Sequence, residues 1–145
     1  PMTSTFIQII EEKAQPAGQV TVNAEALNQG LQNSGHVSLY GLQFDTGKSE
    51  LKAESQAQLQ ELISILKTQS TLNLIVVGHT DNVGNIEANL LLSNARAQNI
   101  VQALVQAGID KRRLIAKGLA NFAPIASNAN EQGRALNRRV EIVVQ

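Results

Sequence analysis

The run "LNLIVVGH" at 72–79 constrains the fold more than any other stretch. Its apolar residues fall on both faces of the pleat, which suits a strand covered on both sides and flanked by neighbours, the centre of a sheet. Around it the pattern changes period. Leu59, Leu62, Ile63 and Leu66 recur at helical spacing and predict an amphipathic helix over 53–69. A second helix is expected from Ile86 to Ala107, ended by Gly108. Strand-like runs are "HVSLYGLQF" at 36–44, "RRLIAKG" at 112–118 and "RRVEIVV" at 138–144, where Val140, Ile142 and Val144 alternate with Arg139 and Glu141. "NFAPIASNANEQGR" at 121–134 reads as a long loop. The order β, α, β, α, β, β predicts a two-layer α/β domain with both helices on one face of a mixed sheet.

The first 35 residues read as a separate small extension ahead of a domain spanning 36–145. Phe6, Ile7, Ile9, Ile10, Val20 and Val22 form short β-like runs split by the turn-prone "QPAG" at 15–18. Asn23 is an N-cap for a short helix carrying Ala24, Leu27 and Leu31, with Gly35 as its stop. Pro1 ahead of Met2 reads as a cloning remnant, so the natural start and an upstream region are expected to be missing. The lack of a leader-like segment then carries no information on location.

Composition narrows the function classes. The formal net charge is zero, so no basic field exists to attract nucleic acid or an anionic membrane surface. No apolar stretch reaches the roughly 20 residues a helical membrane span needs, and direct membrane insertion of this segment is not expected. There is no cysteine, hence no thiol nucleophile and no disulfide. With only His36 and His79 besides, a metal site is not expected, and no motif calls for a cofactor.

Two charged residues stand out. On a helical wheel Arg96 falls on the apolar side of the second helix with Asn89, Leu92, Ser93, Ile100 and Leu104. A guanidinium there must reach an edge or meet a fixed anion, because burying an unpaired charge is expensive. Asp81 lies just past the carboxyl end of the central strand, where open α/β sheets place ligands. One reading is a plain Asp81–Arg96 salt bridge. The other is a cleft with one negative and one positive wall, suited to a zwitterion, since Asp accepts from an ammonium and Arg offers a fork to a carboxylate. His79 reads as a hydrogen-bonded strand-end residue. Arg138 and Arg139 could line the edge of the cleft, but strand termini commonly carry solvated charges, and that structural role is the favoured reading. The turn in "FDTGKSEL" at 44–51 could present backbone amides to a carboxylate.

Four blocks in order, "FDTGKSELK" at 44–52, "VVGHTDNVG" at 76–84, "NLLLSNARAQNIVQAL" at 89–104 and "GRALNRRVEIVV" at 133–144, carry a resemblance. From His36 to Gln145 the chain resembles the OmpA-like peptidoglycan-binding domain, found in outer-membrane porin tails, peptidoglycan-associated lipoproteins and flagellar stator proteins. The resemblance implies noncatalytic binding of peptidoglycan through the meso-diaminopimelate of its stem peptide. It places the ammonium contact on Asp81, the carboxylate clamp on Arg96, and supporting roles on Asp45, Thr80, Asn89 and Leu92. It also implies a periplasmic location, with attachment to or association with the outer membrane through the upstream region. Ala53, Ala120 and Gln132 depart from the family's common Pro, Gly and Glu. Two alternatives stay open: a protein interaction domain of the same fold, and a cell-wall peptide hydrolase using Asp81 and His79.

Overall fold

The computed structural model describes residues 21–145; the β-like runs expected between Phe6 and Val20 lie outside them. Four strands form one mixed sheet in the order β1-β4-β2-β3, with β1 His36–Ser38, β2 Leu74–His79, β3 Leu114–Gly118 and β4 Arg139–Val144. β2 is central, antiparallel to β4 and parallel to β3, while β1 pairs antiparallel with the outer side of β4. Among the described residues four α-helices accompany the sheet: α1 Ala24–Ser34, α2 Gln56–Thr68, α3 Ile86–Gln106 and α4 Glu131–Asn137.

Register decides which side chains meet. Val76 lies between Ile142 and Ala116, and Gly78 between Val140 and Gly118, so these residues share one face. Side chains added at Gly78 or Gly118 would run into the backbone of α3 at Ser93 and Asn94, which shows how closely that helix lies on the strands. Leu62 and Leu66 of α2 and Ile100 and Leu104 of α3 are fully buried with Leu74, Val76 and Ile142 in one core. Each such side chain contributes about 1.5–3 kcal/mol by leaving water. The opposite face carries Ile75, Val77 and Ile115, which the core does not include, beside Arg139, His79 and Glu141.

α1 forms as its sequence signals ask. Asn23 Oδ1 accepts the Ala26 amide at 2.8 Å, and Gly35, at φ 81°, donates its N–H to the Leu31 carbonyl. Leu27 and Leu31 then enter the same core as the sheet and α2. The segment before the helix is pinned as well. The buried Gln58 amide donates to the Val22 carbonyl and accepts the Val22 N–H, both at 2.9 Å, and Glu61 accepts the Ala24 N–H at 2.8 Å. At the far end of α2, Arg113 donates to the carbonyls of Leu66, Gln69 and Leu72, satisfying acceptors that a helix terminus leaves over.

Three expectations are corrected. The strand expected over 36–44 ends at Ser38, because Leu39 and Leu42 both turn into the core, a three-residue spacing that a strand's two-residue alternation cannot deliver. Phe44 keeps only an isolated bridge to Leu51. The loop expected over 121–134 ends in a helix, α4, started by Asn130, whose side chain accepts the Gly133 N–H at 2.7 Å. The buried Asn137 amide at the end of α4 organises the preceding loop, accepting from the amides of Ile125 and Ala126 and donating to Ala126 and Asn128. Finally, Arg112 and Arg113 precede β3 in a 3-10 turn, Lys111–Arg113, capped by Asp110.

Candidate functional site

A cleft of about 660 Å³ opens at the carboxyl end of β2, with Phe44, Asp81, Asn89, Leu92, Arg96 and Arg138 among its walls. Asp81 is held by its own turn. Its Oδ1 accepts the Val83 N–H at 2.9 Å, a local arrangement typical of Asp at a tight bend, and Gly84 supplies a φ of 95°. Thr80 donates its hydroxyl to the Asp81 carbonyl at 2.7 Å, and the Asn89 side-chain amide donates to the Val83 carbonyl at 3.0 Å. Thr80 and Asn89, both also lining the cleft, thereby brace the bend that presents Asp81.

Arg96 reaches the cleft from the middle of α3. Its Nε donates to the Lys48 carbonyl at 2.8 Å and its Nη2 to the Asp45 carbonyl at 3.2 Å. The guanidinium carbon lies 4.8 Å from the centre of the Phe44 ring, within range of a cation–π contact. Burial pushes this guanidinium below its ordinary pKa, and the groups that hold it are neutral: two carbonyls and a ring face. The turn after residue 44 therefore offers carbonyls to a cation, where the sequence suggested amides for an anion.

No Asp81–Arg96 ion pair forms among the described residues. Asp81 Oδ2 instead lies 2.7 Å from Nη1 of Arg138, whose Nη2 lies 2.6 Å from Glu131 at the start of α4. Glu131 is the largest influence raising the Arg138 pKa, and in return Arg138, with Arg134, lowers that of Glu131. The favoured expectation that Arg138 and Arg139 are solvated termini is thus corrected: both border the cleft, Arg138 partly exposed and Arg139 buried. A signal for Arg138 did exist. In "RRVEIVV" it shares the phase of Val140 and Ile142, the residues that face α3. Asp45 differs from the other sequence candidates: its side chain is 71% exposed beside Lys52, and its carbonyl is what meets Arg96.

A second polar group borders the cleft at the end of β2 and β4, where His79 pairs with Arg139 in the sheet. His79 Nε2 is 2.8 Å from Glu141 Oε1, and Arg139 donates to the same oxygen at 3.4 Å and to the Ala123 and Asn137 carbonyls. Burial, followed by the Arg139 charge, lowers the His79 pKa. With its side chain 2% exposed and its Nε2 on Glu141, His79 is placed as a structural strand-end residue.

Comparison with known proteins follows this geometry. Over 104 residues the chain is 38% identical to outer membrane porin F of Pseudomonas fluorescens, covering 72% of this chain and 32% of the porin. Its fold matches the peptidoglycan-associated lipoprotein from Burkholderia pseudomallei at TM-score 0.64 and 29% identity, over 77% of this chain and 91% of that one. It matches the cell wall anchor of the T6SS from Pseudomonas aeruginosa at TM-score 0.66 and 28% identity, over 83% and 94%. The chain spans about a third to a half of the length of the curated relatives it matches. The four sequence blocks, the βαβ core around a cleft and a match to the OmpA family over residues 43–138 agree: the chain belongs to the OmpA family.

Proposed function

We propose that the cleft binds peptidoglycan noncatalytically, through the meso-diaminopimelate of the stem peptide, and that residues 36–145 anchor an envelope protein to the cell wall. The observation that carries this reading is the separation of Asp81 and Arg96. They stand on different walls of one cleft, and neither neutralises the other. The side-chain end of diaminopimelate bears an ammonium and a carboxylate on one carbon. Asp81 accepts from the ammonium, and Arg96 donates to the carboxylate. Lysine at that place lacks the carboxylate and leaves the half-buried Arg96 without an anion, a loss on the order of 1.4–3 kcal/mol, or tenfold and more in affinity. Thr80, Asn89 and Leu92 shape and line the site, and Asp45 contributes its carbonyl.

The relatives support the setting. The relatives include an outer membrane porin, a peptidoglycan-associated lipoprotein and a cell wall anchor, which supports a periplasmic setting in the cell envelope in association with the outer membrane. Among the described residues no helix is long and apolar enough to cross a membrane. The burial of His79 against Glu141 supports a binding role over acid–base chemistry with Asp81. Calorimetric titration with diaminopimelate-type and lysine-type stem peptides is the test. Binding of the first, at least tenfold weaker binding of the second, and loss on Asp81→Ala or Arg96→Ala with the fold intact are expected. Equal affinity for both peptides, or variants that bind like the parent, would sink the reading.

A further inference from the structure

We propose that Arg138 is a specificity device: it holds the Asp81 carboxylate that an incoming ammonium needs, so the cleft accepts a zwitterion and rejects a bare cation. This rests on the proposed ammonium contact at Asp81 and extends it to a residue that contact does not include.

Both oxygens of Asp81 are engaged, Oδ1 by the Val83 N–H and Oδ2 by Arg138, and only 12% of the side chain reaches solvent. A cation arriving at Asp81 therefore competes with a guanidinium already there. Arg138 has somewhere to go. Its Nη2 is on Glu131 at 2.6 Å, its side chain is 40% exposed, and it lines the same cleft. Among the charged residues lining the cleft, the guanidiniums of Arg96 and Arg138 stand against the single carboxylate of Asp81; Arg139 also borders it but is held by Glu141, and Glu131 shares Arg138.

Two ligand types meet this arrangement differently. A bare ammonium displaces Arg138 from Asp81 and offers nothing in return, so one ion pair is exchanged for another. A zwitterion displaces it too, yet its carboxylate faces two guanidiniums that have only carbonyls or Glu131 for company. Arg138 thus raises the threshold for cations and leaves zwitterions favoured, a selectivity made by an unfavourable contact as much as by a favourable one. Glu131 sets how readily Arg138 lets go.

The Val83 amide, hydrogen-bonded to Asp81, reports on the site by NMR. n-Butylammonium serves as the bare cation, titrated into the parent, Arg138→Gln, Glu131→Gln and the double variant, with thermal unfolding checking each fold. Arg138→Gln is expected to bind n-butylammonium roughly fivefold more tightly, the scale of a partly exposed ion pair. Glu131→Gln is expected to weaken that binding, and the double variant to match Arg138→Gln, because Glu131 acts through Arg138. Unchanged or weaker n-butylammonium binding in Arg138→Gln overturns the proposal, as does a Glu131→Gln effect that persists without Arg138. The stem peptides separate the two readings. If the parent binds neither peptide, the peptidoglycan reading fails while the n-butylammonium series still decides the role of Arg138. If the parent discriminates the peptides and Arg138→Gln discriminates equally well, the Arg138 proposal fails alone.

Discussion

Arg138 and Arg139 are neighbours in sequence and opposites in situation. Arg138 faces the cleft, partly exposed, shared between two carboxylates. Arg139 faces the other side of the sheet, 2% exposed at its side chain, and is tied to Glu141 and to the carbonyls of Ala123 and Asn137. The strand's two-residue alternation separates them. One step in sequence, from the residue that caps α4 to the first residue of β4, turns a cation from an exchangeable partner of a ligand-facing carboxylate into a pin that fastens the 121–130 loop to the sheet. Charge alone does not reveal which arginine serves binding; exposure and the chemistry of the partner do.

The strongest way to break this contrast is Arg139→Met. It leaves the partly buried Glu141 without its guanidinium and frees the Ala123 and Asn137 carbonyls, and is expected to cost about 3 kcal/mol in chemical denaturation. Arg138→Gln is expected to cost less than about 1 kcal/mol, because its pairs are partly exposed. Similar losses for the two would abolish the distinction between pin and partner.

A second test uses acidity. Burial holds the His79 pKa below its ordinary value of 6.5, so between the folded value and 6.5 the unfolded chain binds a proton that the native chain does not. Stability is then full above pH 6.5 and falls as the pH drops below it, by at most about 1.4 kcal/mol per pH unit. Thermal melts from pH 7.5 to 5.0 should show this slope, and His79→Gln should flatten it. A slope unaltered in His79→Gln would show that the back face does not exclude the charge as its burial implies.

Smaller effects sharpen the site side. Arg96→Gln removes two carbonyl contacts to the 45–48 turn and is expected to cost about 1–2 kcal/mol of stability while abolishing stem-peptide binding in calorimetry. Asp45→Asn touches only an exposed pair with Lys52, so its stability change should stay within about 0.5 kcal/mol. Its peptide affinity should stay within roughly twofold, since the carbonyl that holds Arg96 is retained. A larger binding loss would return the Asp45 carboxylate to the site.

The parts legible in the sequence share a reason. α2, α3 and β2 announce themselves because burial imposes a period on residues close in the chain. The helix α1 was legible through its caps, and the glycine that ends it takes a left-handed φ. What escaped is short or held from afar. α4 has seven residues, with Gly133 and Asn137 its buried positions, too few for a period to show. β1 keeps only the first third of its expected length because Leu39 and Leu42 answer to the core rather than to the sheet. Ala120 takes a φ of 47° while fully buried, a backbone demand that the residue itself does not reveal.

The candidate site divides the same way. Sequence by itself determined that Asp81 ends the central strand and that Arg96 rides the buried side of the next helix, since both follow from local period and order. Only the tertiary structure decided their partners. Asp81 meets Arg138 from 57 positions away, and Arg96 meets carbonyls of a turn about 50 positions earlier. Ion pairs of this kind depend on where elements land when the sheet closes around β2. No periodicity records that, because the attraction between two charges depends on their separation in space and on the water left between them.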